Sequence, residues 1–104
     1  MTAVTLYAVF ADMAEAQRIG RQMVEEQLAA CVNILQPYRS IYRWEGAIET
    51  ASEVPAIFKT TMDAADRLME RIAELHSYSV PALAVWPIAK LPAAYDNWVH
   101  ESVG

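Results

Sequence analysis

The chain has 104 residues, 55% of them apolar, which is the size of one domain spanning 1–104. Eight Lys and Arg against thirteen Asp and Glu leave a formal charge of −5. That balance excludes a phosphate-tracking nucleic-acid binder, which needs a basic stripe, and docking on an anionic membrane.

Val4–Phe10 (VTLYAVF) is rich in β-branched and aromatic residues and predicts a strand. Asp12 with Glu15 three positions on forms a capping-box pattern. Ala16, Ile19, Met23 and Leu28 then recur at helical spacing, predicting an amphipathic helix over 13–28. Gly20 inside it costs about 1 kcal/mol of helix propensity, tolerable if a strand passes close by. Residues 30–35 (ACVNIL) predict a second strand, interrupted at Gln36-Pro37 because Pro gives the ladder no N–H. The strand resumes over 39–44, turns at Glu45-Gly46 and returns over 47–61, with an irregular stretch expected at Thr50–Ser52. Pro55 in the return argues for an edge position or a nearby bulge. A second helix follows over 63–76, then an extended Tyr78-Ser79-Val80-Pro81. A last strand is expected over 82–88, and a closing helix from Pro92 to about Glu101.

This order, β-α-β-β-α-β plus a tail helix, predicts an α+β ferredoxin-like sandwich with a long β-hairpin. Both helices of such a sandwich lie on one face of the sheet, so a monomer should show polar residues on the other. The strands do not alternate that way: Leu6, Ala8 and Phe10 are apolar, and so are Tyr7 and Val9 between them. One short tail helix is left to cover the second face, which predicts burial of that face between subunits. Cys31 is the single cysteine, which excludes an intrachain disulfide. The first ten residues lack a basic segment and a cleavage site, and no apolar run approaches the ~18 residues of a membrane span. A cytoplasmic protein is therefore expected.

Several stretches together resemble the divalent-cation tolerance family, CutA. They are Ala29-Ala30-Cys31-Val32-Asn33-Ile34, the run from Ser40 through Trp44-Glu45-Gly46 to Ile48, Lys59-Thr60-Thr61, and His76-x-Tyr78-x-Val80-Pro81 followed by Pro87-Ile88. The resemblance implies a homotrimer built like the PII signalling proteins, with hairpins exchanged between subunits. It also implies a role in tolerance of copper or other divalent cations, without a firmly attached catalytic reaction. The chain departs from the family's His-Pro-Tyr-Glu-Val-Pro-Glu word at Ser77, Ser79 and Ala82, so two carboxylates are missing near His76.

Candidate site residues carry two readings each. Cys31 lies mid-strand, where a free Cys packs as a small hydrophobe or serves as a soft ligand. His76 ends a helix, where it caps carbonyls or, with partners from elsewhere, binds a metal. Trp44 and Glu45 at the hairpin tip pack into a neighbour or line an inter-subunit cleft. Lys59 pairs with Glu45, Glu49 or Glu53, or meets a small anionic ligand. Tyr78 joins it in the cleft the resemblance implies. The leading expectation is a non-enzymatic trimer of metal-ion response. The rivals are a trimeric scaffold acting through a partner protein, and an enzyme using the cleft.

Overall fold

The computed structural model describes residues 2–104. Its strands are β1 (Val4–Phe10), β2 (Cys31–Ile34), β3 (Tyr38–Trp44), β4 (Ala47–Thr60) and β5 (Leu83–Pro87). Its helices are α1 (Met13–Glu25), α2 (Met62–Leu75) and α3 (Ala93–Ser102). The sheet is antiparallel in the order β2-β4-β1-β5, and β3 continues the line of β2 along β4. Taking β2 and β3 as one interrupted strand, this is the expected ferredoxin-like order with a tail helix appended.

The main core lies between the helices and one sheet face. Leu6, Phe10, Ala56 and Phe58 from the strands meet Ala16, Ile19, Met23, Leu68 and Ile72 from α1 and α2, all fully buried. Gly20 of α1 faces β2: a Cβ there would come within 3.1 Å of Val32 Cγ1. The close approach inferred from that glycine is therefore real.

Helix ends follow local chemistry. Asp12 Oδ1 accepts the Glu15 amide hydrogen at 2.8 Å, and Glu15 Oε1 accepts that of Ala11 at 3.0 Å. α1 stops at Glu25 rather than 28, because Gln27 turns left-handed (φ 60°). The Gln27 and Leu28 amides then turn back to the carbonyls of Val24 and Met23, a Schellman ending. α2 starts one residue earlier than expected, since Thr61 Oγ1 caps the Ala64 amide at 3.2 Å. β5 is shorter than 82–88 and closes on Pro87, which has no N–H to extend the ladder.

The hairpin holds the main surprise. β4 runs unbroken through Thr50–Ser52, where an irregularity was expected, and it is a central strand despite Pro55. The register explains how. Ile34 pairs with Ala56 but Tyr38 pairs with Glu53, so one side advances four residues while the other advances three. The extra residue is a bulge at Leu35–Pro37. Pro55 accepts the Leu35 amide hydrogen on its carbonyl at 3.0 Å. A strand residue's N and O face the same neighbour, so the donor that Pro55 lacks falls into the bulge. At the tip, Glu45 (φ 50°) and Gly46 (φ 81°) make the two-residue turn whose twist suits a hairpin.

Candidate functional site

The sheet face away from α1 and α2 carries side chains in rows. Cys31, Lys59, Thr5 and Trp86 lie side by side across β2, β4, β1 and β5. Asn33, Ile57, Tyr7 and Ala84 form the next row, and the Tyr7 and Trp86 rings stack with centroids 5.0 Å apart. α3 covers only one end of this face. Val99 buries itself with Ala3 and Ala30, Asp96 Oδ1 accepts the Ala3 amide hydrogen, and Tyr95 Oη lies 3.9 Å from Cys31 Sγ. Beyond α3 the face is open: Trp86 is 47% and Leu35 42% exposed.

At the opposite end, the hairpin and the segment after α2 enclose a groove of about 590 Å³. Its walls include Tyr7, Tyr38, Tyr42, Trp44 and Tyr78, with Glu53 at its base. Glu53 is 8% exposed and accepts the Tyr78 hydroxyl hydrogen at 2.8 Å. The Tyr7 and Tyr38 hydroxyls are hydrogen-bonded to each other. Burial, then the bond to Glu53 and its charge, push the Tyr78 phenol well above its usual value. Burial and the bond to Tyr7 do the same for Tyr38, and Glu53 adds to it. The Tyr78 phenol is thus held as a neutral donor to the Glu53 carboxylate. No Lys, Arg or His lines the groove among the described residues.

Tyr78 is placed by a buried network below the groove. The His76 side chain is fully buried, and its ring stacks on Phe10 with centroids 5.1 Å apart. Its Nε2 donates to the Val9 carbonyl at 2.7 Å, and its Nδ1 accepts the Tyr78 amide hydrogen at 3.0 Å, which defines the Nε2–H tautomer. Glu15 Oε2 accepts the Ser77 amide hydrogen at 2.9 Å. Burial raises the Glu15 carboxyl, but the bonds from Ala11 and Ser77 outweigh it and hold the group below its ordinary value. Ser77 therefore supplies an N–H that a proline at this position would lack.

The structure sorts the expected site residues into two places. Cys31 and Lys59 are neighbours near α3, while Trp44 and Tyr78 line the groove. Glu45 sits at the exposed hairpin tip. Lys59 and Glu53 share a face of β4 but lie six residues apart, about 20 Å along an extended strand. The ion pair expected of Lys59 is therefore absent: no carboxylate lies within 4 Å of it among the described residues. Nor does the His76 side chain cap α2, since its nitrogens go to Val9 and Tyr78. Sequence reasoning missed Tyr7 and Tyr38 as lining residues. The signal was present in Pro37 and Pro55 together, which mark the bulge that turns Tyr38 toward Glu53.

The fold and the paired hairpin arms define a ferredoxin-like protein with a groove between hairpin and sheet. Residues 4–102 match the family model of the CutA1 divalent ion tolerance protein. The chain is 43% identical to the divalent-cation tolerance protein CutA of Thermus thermophilus over 86% of each chain. It superposes on CutA1 from Oryza sativa with a TM-score of 0.96 and 31% identity, covering 100% of this chain and 95% of that one. The CutA of Archaeoglobus fulgidus, described as a periplasmic divalent cation tolerance protein, gives 0.94 and 33% over 98% and 99%. This chain belongs to the CutA divalent-cation tolerance family.

Proposed function

We propose that the protein serves divalent-cation tolerance as a homotrimer that holds copper or another divalent cation in the clefts between its subunits, without catalysing a reaction. The observation that carries this reading is the sheet face beyond α3, which leaves Leu35 and Trp86 open to solvent in one chain. Such a face favours association. Among the described residues no three His, Cys, Asp or Glu converge to hold a metal. A cation site therefore draws on more than one chain. Cys31 offers the one thiol, the donor type that soft metals prefer, and Glu45 and Glu49 on a neighbour's hairpin offer carboxylates. His76 is a structural residue in this reading, because its ring nitrogens are engaged within the chain. An anionic ligand is disfavoured in the groove, where Glu53 stands without a basic partner. A cytoplasmic location suits the unpaired Cys31, since thiols stay reduced there.

Sedimentation equilibrium should give three times the 11.6 kDa chain mass. Copper titration should show binding that Cys31→Ser weakens and His76→Gln leaves alone. A monomer at micromolar concentration, or equal copper binding by wild type and Cys31→Ser, would overturn the corresponding half. Cell fractionation tests the compartment directly, and recovery outside the cytoplasm would refute that placement.

A further inference from the structure

We propose that His76 is a proton-operated latch: protonation of its Nδ1 releases the Tyr78 amide, passes that nitrogen's bond to Glu15, and so uncovers the Glu53 carboxylate that Tyr78 holds. The device lies within one chain and uses none of the residues assigned above to a cation.

The latch consists of contacts to a single ring. Nε2 carries the ring's proton and donates it to the Val9 carbonyl at 2.7 Å. Nδ1 keeps the free lone pair and accepts the Tyr78 amide hydrogen on it at 3.0 Å. Glu15 Oε1 lies 4.0 Å from the same Nδ1, beyond hydrogen-bond reach. A second proton, taken from solvent, attaches only at Nδ1, because Nε2 already has one. Two donors then face each other across 3.0 Å, so the Tyr78 amide turns away. The new N–H has an acceptor at hand. An approach of about 1 Å brings Glu15 to bonding distance as a charge-assisted pair. No covalent bond other than that to the added proton changes.

The surroundings of the ring favour this exchange. On α1, burial raises the Glu15 carboxyl, but the Ala11 and Ser77 amides hold it below its ordinary value, so it stays ionised where histidines titrate. Asp12 beside it caps the Glu15 amide. No Lys or Arg is paired with Glu15 among the described residues, so the imidazolium meets no rival there. β1 presents the Val9 carbonyl and the Phe10 ring, which carry no charge. In the last turn of α2, Glu74 is engaged with Arg71. Beyond the Tyr78 ring stand Glu53 of β4 and the Tyr42 phenol of β3.

Release has a path and a consequence. The Ser77 amide stays on Glu15 Oε2 at 2.9 Å, so movement begins beyond Ser77. Ser79 and Val80 are exposed, and a freed Tyr78 amide reaches water instead of remaining unsatisfied. The Tyr78 hydroxyl is the one hydrogen-bond donor to the Glu53 side chain among the described residues. When the segment lifts, this carboxylate, 8% exposed in the closed form, opens to solvent. Acid thus uncovers a negative charge.

NMR of the 15N-labelled wild-type protein between pH 8 and 5 tests the latch without any substitution at the ring, with a His100→Gln variant to assign the two histidines. We expect the Nε2–H tautomer at pH 8 and protonation of Nδ1 as the pH falls. The Tyr78 amide signal should move with the same midpoint, and its protection from exchange should drop about tenfold or more. Carbodiimide-driven coupling of glycine ethyl ester should label Glu53, relative to the exposed Glu45, about threefold or more faster at pH 5.5 than at pH 7.5. His76→Gln does not titrate and should keep that ratio level. A ring that stays neutral to pH 5 would overturn the latch, and so would a Tyr78 amide that ignores the ring's titration. An unchanged Glu53 ratio in the wild type, or an equal change in His76→Gln, would do the same. The oligomer and cation readings are decided separately, by mass and by copper titration.

Discussion

The imidazole of His76 donates from Nε2 to the carbonyl of Val9 at 2.7 Å and accepts the Tyr78 amide hydrogen on Nδ1 at 3.0 Å. One fully buried ring therefore joins the end of β1 to the segment that carries Tyr78 into the groove. Truncation to Ala would leave a backbone donor and an acceptor without partners and open a void against Phe10. We expect His76→Ala to lower stability by about 3 kcal/mol. Urea unfolding at fixed protein concentration measures this, and a loss under 1 kcal/mol would show that water replaces the ring at little cost.

Glu15 gives the acid limb of stability. Its carboxyl is held below its ordinary value in the folded chain, so the unfolded chain takes up a proton first as the pH falls. The stabilisation is complete above the unfolded value of about 4.5 and is lost as the pH drops through the lower folded value. Glu15→Gln should flatten the stability profile below pH 5. Thermal melts between pH 3 and 7 follow it, and parallel wild-type and variant curves would contradict this role.

The alkaline limb belongs to the phenols. Tyr38, Tyr78 and Tyr95 are all raised above 10.0 by burial, and respectively by bonds to Tyr7, Glu53 and Cys31. A raised folded value means that stability is present below about pH 10 and declines as the pH rises beyond it. Absorbance at 295 nm should show tyrosines ionising late, together with unfolding, and Tyr78→Phe should remove one of that late class. Five tyrosines that titrate together near pH 10 in the folded protein would be incompatible with the groove.

Gly20 is a packing residue whose cost can be exposed. Ala at this position gains up to about 1 kcal/mol of helix propensity but meets Val32 Cγ1 at 3.1 Å. In a Val32→Ala background the obstacle is gone. Gly20→Ala should therefore be more stabilising in that background than in the wild type, by about 0.5–1 kcal/mol in a double-mutant cycle. Equal effects in both backgrounds would mean that β2 yields freely.

Much of this architecture was legible from residue pattern. The capping pair Asp12–Glu15, the apolar stripe of α1 and the Glu45-Gly46 turn act over a few residues, and each forms where its chemistry required. Gln27 was not legible as a helix stop, because its left-handed backbone is chosen by the Schellman bonds and not by a glycine. The site was legible only in parts. Cys31 and Lys59 fall together near α3 while Trp44 and Tyr78 line the groove, and that division depends on strand register. Register is a property of pairs of segments, and a single segment does not display it. His76 is the sharpest instance: a helix-end histidine reads equally as a cap or a ligand until Val9, 67 positions away, is placed against it.

The bulge at Leu35–Pro37 reverses which alternate residues of the second strand line look inward. Odd-numbered Cys31 and Asn33 share a face with Lys59 and Ile57, yet even-numbered Tyr38 stands opposite Glu53 beyond the bulge. Had β3 kept the register of β2 with no bulge, Tyr38 would stand opposite Ser52 and the distal arm would present its other face. Arg39, Ile41 and Arg43 would then look into the groove in place of Tyr38, Tyr42 and Trp44. One inserted position thus decides whether this hollow is coated with rings or with guanidinium groups.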